Sequence, residues 1–145
     1  MMKNSNKILY SVSGNIAKLT INRPERRNAL DAESLEQINI LMDRAESDEK
    51  VRVILITGQG DTFSSGFDLK DQMEKAPKGK QWKPILELDH RTIMRFWNSP
   101  KPTIAAVKGA CLAGAFELSL ACDFTICSKD SFFGEPELKF GAGIV

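Results

Sequence analysis

The chain reads as an α/β domain. Two continuous runs rich in β-branched residues, at 51–57 and 103–107, alternate with two stretches of helical apolar spacing, at 31–47 and 82–98. Strand, helix, strand, helix and strand in that order is the pattern of a sheet covered by helices.

The first two runs, 8–13 and 16–22, flank Gly14-Asn15, and Ala17, Leu19 and Ile21 alternate with Lys18 and Thr20. That alternation predicts an antiparallel hairpin with one wet face. Over 31–47, Leu35, Ile38, Met42 and Ala45 form one stripe behind Asp31, which predicts an amphipathic helix with Asp31 as its N-cap, laid over the next strand. Val51, Val53, Ile54, Leu55 and Ile56 lead to Thr57-Gly58, and residues 103–107 lead to Lys108-Gly109; such unbroken apolar runs predict strands buried on both faces. Between them come a turn-rich loop over 58–66, a short polar helix over 68–75 and a mobile surface connection over 76–83. The helix over 82–98 carries Leu86, His90, Ile93 and Trp97 on one face and stops before Ser99-Pro100-Lys101-Pro102, where proline disfavours helix in the residue before it. After the turn at 109–114, an apolar helix runs to Cys122, followed by a strand at 124–127 and a turn at 133–137.

The 145 residues are 42% hydrophobic and 27% charged, with a formal net charge of +1, which excludes fibrous and disordered classes and gives no basic field for nucleic acid. No apolar run approaches the ~20 residues that span a bilayer, and the first residues lack a signal core. A single cytoplasmic domain over 1–145, with neither nucleic acid nor membrane as partner, is expected. Cys111, Cys122 and Cys127 match no zinc or redox spacing and read as small, reduced core residues. The last residues, 140–145, are apolar without a cap or charge, and read as a cut inside a domain.

Glu117 is the only charged residue between Gly109 and Cys122. Either it occupies one wet stripe of its helix, or it is a desolvated carboxyl able to hold and deliver a proton. Gly114 stands three residues before it, at the helix start, where unpaired N–H groups and the helix dipole favour negative charge. The loop from Phe63 to Asp68 offers a second strand-to-helix turn, without phosphate-loop or dinucleotide spacing. His90 falls on the apolar stripe and reads as a core imidazole. Ser64 and Ser65 lack the nucleophile-elbow pattern. Met73, Met94, Trp82 and Trp97 read as packing residues, and Lys75, Lys78, Lys80 and Lys83 as a solvated loop.

Three separated motifs, Asn22-Arg23-Pro24-Glu25-Arg26-Arg27-Asn28-Ala29-Leu30, Phe63-Ser64-Ser65-Gly66-Phe67-Asp68-Leu69, and Lys101-Pro102-Thr103 through Gly109, Glu117-Leu118 and Cys122-Asp123, resemble the enoyl-CoA hydratase/isomerase (crotonase) family in the right order. The resemblance implies a crotonase-like (ClpP/crotonase) spiral of β-β-α units, truncated before the C-terminal helical part, and a protein forming homotrimers or dimers of trimers when full length. It implies an acyl-CoA thioester substrate, its carbonyl held by the backbone N–H groups of Phe67 and Gly114, each worth up to about 3 to 4 kcal/mol in the transition state. It implies Glu117 and Glu137, 20 residues apart, as the pair that hydrates a 2-trans-enoyl-CoA to a 3-hydroxyacyl-CoA, with Glu135 the competitor for the second place. Arg26, Arg27 and Lys70, and the backbone around Ser65, Gly66 and Asp68, match positions that contact CoA. No metal and no separate cofactor is implied; coenzyme A enters with the substrate. Isomerisation of the double bond, another reaction of the family, and acyl-CoA binding without turnover are the alternatives. Ala113 and Ala115 stand where many members have glycines, and Phe67 and Phe116 are bulkier than usual, which bears on the size of the acyl pocket.

Overall fold

The computed structural model describes residues 6–74, 77–136 and 139. The expected hairpin forms from β1 (Ile8–Ser13) and β2 (Ile16–Ile21), paired antiparallel. β3 (Val53–Gly58), β4 (Thr103–Val107) and β6 (Phe124–Cys127) then add in parallel, giving the mixed order β1-β2-β3-β4-β6. Short strands β5 (Ala110–Leu112) and β7 (Phe132–Gly134) pair with each other in a second layer. Isolated bridges Leu30↔Phe67 and Ser64↔Cys111 continue that layer. A long strand, a short extended segment and a helix therefore recur along the chain as a β-β-α unit.

The helices are α1 (Ala32–Ser47), α2 (Leu69–Glu74), α3 (Trp82–Trp97) and α4 (Gly114–Ala121), with a turn of 3-10 helix at Gly79–Gln81 just before α3. None is long and apolar enough to cross a membrane among the described residues. α1 begins where Asp31 is extended and accepts a 2.9 Å hydrogen bond from the Ser34 amide, the N-cap its position predicts. Its Leu35, Ile38, Met42 and Ala45 bury against Leu19, Ile21, Ile54 and Ile56 of the sheet in one core cluster. The far end of α1 is held by Lys101, whose Nζ donates to the Ala45 and Asp48 carbonyls at 2.8 and 2.7 Å, a cation meeting the carbonyl end of the helix.

Several expectations need correction. β3 and β4 are not buried on both faces: every second residue is only half-buried, so one face carries the core and the other is partly open. Cys111 is buried as expected, but Cys122 is half-buried and Cys127 is exposed on β6. On α3 the buried face holds Asp89, Thr92, Ile93 and Phe96, while His90 is exposed and Trp97 is 68% exposed. The face is turned by about one residue, or ~100°, because its polar members find partners: Asn39 of α1 donates to Thr92 Oγ1 at 2.7 Å and Gln72 of α2 to Asp89 Oδ2 at 3.2 Å. Apolar periodicity alone passes over such residues.

Asp31 both caps α1 and pairs with Lys7 at 2.6 Å. Asp31→Ala is expected to lower the unfolding free energy by about 1 to 2 kcal/mol, read from urea denaturation; an unchanged midpoint would contradict the capping role.

Candidate active site

The loop leaving β3 is fixed by side chains before it reaches any ligand. Asn28 is fully buried and lies in the left-handed region at φ 55°. Its Nδ2 donates to the carbonyls of Gln59 and Thr62 at 2.8 and 2.7 Å, and its Oδ1 accepts from the Arg23 amide at 3.0 Å. Ser64, also fully buried, donates to the Asn28 carbonyl at 2.8 Å and accepts from the Gly66 amide at 3.1 Å. Asp68 follows, 5% exposed, and takes hydrogen bonds from Arg23 Nη2 and Arg26 Nη2, both at 3.1 Å. Burial pushes its carboxyl up, but hydrogen bonds from the Asp71 amide and Arg23, with the charges of Arg23 and Arg26, outweigh it and hold the group below its ordinary value. Arg23 also pairs with Asp31 at 3.2 Å and reaches the Ala29 carbonyl.

Zipped to the 23–30 segment by Leu30 N–H to Gly66 O and Asp68 N–H to Leu30 O, each 2.8 Å, the loop turns the Phe67 amide the other way. Neither that amide nor the Gly114 amide donates a hydrogen bond among the described residues. The two segments touch. A Cβ built on Gly66 (φ +93°) would lie 2.5 Å from Ala113 Cβ, 2.8 Å from the Leu112 carbonyl and 3.3 Å from the Gly114 nitrogen. One built on Gly114 would lie 2.2 Å from the Phe67 ring. Glycine is required at both places by close approach. Ala113, at φ 57° and ψ −141°, adopts a backbone shape that suits glycine, and such strain collects at functional sites.

Gly114 opens α4, whose N-terminal end carries partial positive charge, and Glu117 follows one turn on. Glu117 is half-buried with its Oε2 shielded from solvent, so it is not a residue of a fully wet stripe. The Ala113 amide donates to the Gly134 carbonyl at 2.9 Å, which draws Glu135 to the same end of the molecule; its Oε2 is shielded as well. Glu137 lies outside the described residues.

The remaining candidates fall on the rim. Arg26 is 39% exposed at its side chain while paired with Asp68. Arg27, at φ 53°, and Lys70 are exposed, the latter within 3.8 Å of Glu74. Ser65 is half-buried and its amide donates to the Arg27 carbonyl at 3.0 Å. Gly66 is buried between the two loops, and Asp68 is engaged throughout: its side chain by the two arginines, its amide by the Leu30 carbonyl at 2.8 Å and its carbonyl by the Gln72 amide at 3.1 Å.

Residue patterns did not reveal Asn28 or Asp89. Asp89 is 2% exposed. Burial, the largest influence, together with the charge of Glu117, pushes its carboxyl up to about 7 against the opposing Gln72 hydrogen bond. A charged residue in register with Thr92 and Phe96 was the available signal.

A family model described as enoyl-CoA hydratase/isomerase matches residues 11–143. The chain belongs to that family. It is 39% identical over 137 residues to a probable enoyl-CoA hydratase of Bacillus subtilis, covering 94% of this chain and 52% of that relative. It is 32% identical to a short-chain-enoyl-CoA hydratase of Clostridium acetobutylicum, with 94% and 52% covered. Among solved structures, an enoyl-CoA hydratase/isomerase from Xanthobacter autotrophicus superposes with TM-score 0.94 at 61% identity, over 95% of this chain and 52% of that one. A putative enoyl-CoA hydratase/isomerase (crotonase) from Legionella pneumophila gives 0.87 at 34% identity, over 93% and 52%. The fold is therefore that of the crotonases, α/β with a mixed sheet, and the chain spans about half the length of the relatives it matches.

Two outcomes follow from this geometry. Gly66→Ala is expected to cost at least about 2 kcal/mol in urea denaturation, because its methyl meets backbone at a positive φ; a cost below about 0.5 kcal/mol would contradict the close approach. For Asp89, a folded value near 7 against an ordinary one of 3.8 means that the folded chain holds a proton the unfolded chain releases. Its contribution to stability is whole at low pH and is lost as pH rises toward about 7. Asp89→Asn removes that titration, so Tm should fall less from about pH 5 to about pH 8 in the variant than in the parent; equal falls would contradict a raised value.

Proposed function

We propose that this chain carries the thioester-activating part of an acyl-CoA-processing enzyme, and that the reaction is hydration of a 2-trans-enoyl-CoA to a 3-hydroxyacyl-CoA. The observation that supports it is the adjacency of the Phe67 and Gly114 amides, with Glu117 one helical turn beyond. A thioester carbonyl between two fixed donors gains negative charge as the double-bond electrons move onto it, and donors already in place stabilise that charge without reorganising.

In the proposed step, one carboxylate of the Glu117 and Glu137 pair takes a proton from water while the water oxygen bonds to C3. The C2=C3 electrons pass into the enolate, and the other carboxyl, as the acid, delivers a proton to C2. One water is added and no electrons are lost, so the scheme calls for no redox partner. The two groups are one coupled pair, and neither half is assigned to one residue. Arg26, Arg27 and Lys70 hold the CoA phosphates in this reading, and the backbone at Ser65, Gly66 and Asp68 borders the adenine. The full-length protein is proposed to act in the cytoplasm as a homotrimer or a dimer of trimers.

Double-bond isomerisation is the second reading, because the same amides serve the same enolate and the family name covers both reactions. Adding a short trans-2-enoyl-CoA to the chain and following loss of the conjugated absorbance separates them. Glu117→Gln and Glu137→Gln are each expected to slow hydration by about 10²- to 10⁴-fold. Undiminished hydration in both variants would overturn the assignment, and unequal effects on isomerisation without hydration would favour the second reading.

A further inference from the structure

A cavity of about 140 Å³ lies between α1, α2 and α3, comparable to a ~150 Å³ protein cavity that accepts a benzene-sized guest. Its walls include Leu30, Leu35, Ile85 and Leu88, and the polar Asp71, Gln72 and Asp89 interrupt them. Leu30 is the residue bridged to Phe67, so one wall is continuous with the segment that presents the Phe67 amide. The opposite side belongs to α3, which packs on α4 and brings Asp89 within electrostatic reach of Glu117. The cavity thus lies beside the candidate site, next to the Phe67 segment through Leu30 and near Glu117 through α3.

We propose that Asp89 and Gln72 form the polar end of the acyl pocket and select thioesters whose acyl chain carries a hydroxyl or keto oxygen beyond the reacting carbons. The inference rests on the acyl-CoA reading above and deepens it by naming a substrate class. Gln72 Nε2 donates to Asp89 Oδ2 at 3.2 Å, which orients the carboxyl without filling its capacity for hydrogen bonds. A saturated hydrocarbon end placed there would desolvate that carboxyl and return nothing, whereas an oxygen accepts from its acid form or, as a hydroxyl, donates to its anion. Burial and the Glu117 charge keep the acid form populated around neutrality. Asp89 is a specificity residue in this account, and no proton of the reaction passes through it.

The test measures binding of two unreactive thioesters, hexanoyl-CoA and its terminally hydroxylated counterpart, to the 145-residue chain by titration calorimetry. The parent is expected to bind the hydroxylated thioester about tenfold more tightly, the ratio that one buried hydrogen bond sustains. Asp89→Leu and Gln72→Met should bring the ratio to about one or reverse it. Asp89→Asn, which keeps shape and hydrogen bonding, should retain part of the preference and guards against a variant that merely folds poorly. Equal binding of both thioesters by the parent, or a preference that survives in Asp89→Leu, would overturn the inference while leaving the acyl-CoA reading standing. Failure of both thioesters to bind the parent would bring down both together.

Discussion

Everything at the candidate site depends on holding the 63–68 loop against the 23–30 segment. Asn28 supplies hydrogen bonds that a strand pair would otherwise have to make, Ser64 closes the next gap, and Arg23 sits between Asp31 and Asp68. Buried polar groups of this kind are costly unless all are satisfied, and once satisfied they fix one geometry. The result is a loop whose amide at Phe67 is aimed by groups that lie behind it. The ion pairs from Lys7 through Asp31 and Arg23 to Asp68 also tie the start of α1 to the same loop, so the helix that covers the sheet and the loop that carries the Phe67 amide are set by one network.

The second half of the site is built by a different means. Around Gly114, backbone hydrogen bonds from Leu112 to Ser64 and from Ala113 to Gly134 are joined by close contact: Gly66 against Ala113, and Gly114 under the Phe67 ring. Side chains are excluded at both glycines, and Ala113 accepts an unfavourable backbone shape to start α4 at that point. The bulk of Phe67 therefore does not cover its own amide. Its side chain points onto Gly114 while its amide faces away from Leu30.

Much of this was legible in the residues. Alternation gave the hairpin, the stripe behind Asp31 gave α1 and its cap, and the isolated carboxyl in an apolar helix singled out Glu117. The short strands β5 and β7 were not legible, since three residues carry no periodicity, and they form only because the β-β-α units stack. The buried face of α3 lies about one residue away from its apolar stripe, because Asp89 and Thr92 go inside on the strength of partners from other helices. Asn28 stands in a motif but gives no further signal; nothing local distinguishes an asparagine in a turn from one that anchors two loops. Long-range polar pairing is invisible to a pattern of apolar spacing, and it is what positions this site.

In the proposed function, two backbone amides set by these contacts polarise a thioester carbonyl. Isotope-edited infrared spectroscopy of an acyl-CoA labelled with ¹³C at the thioester carbonyl tests it directly. Binding to the chain should move the carbonyl stretch to lower frequency than in water, as expected when aligned donors draw charge onto the oxygen. A bound thioester whose carbonyl stretch stays at or above its frequency in water would contradict the claim.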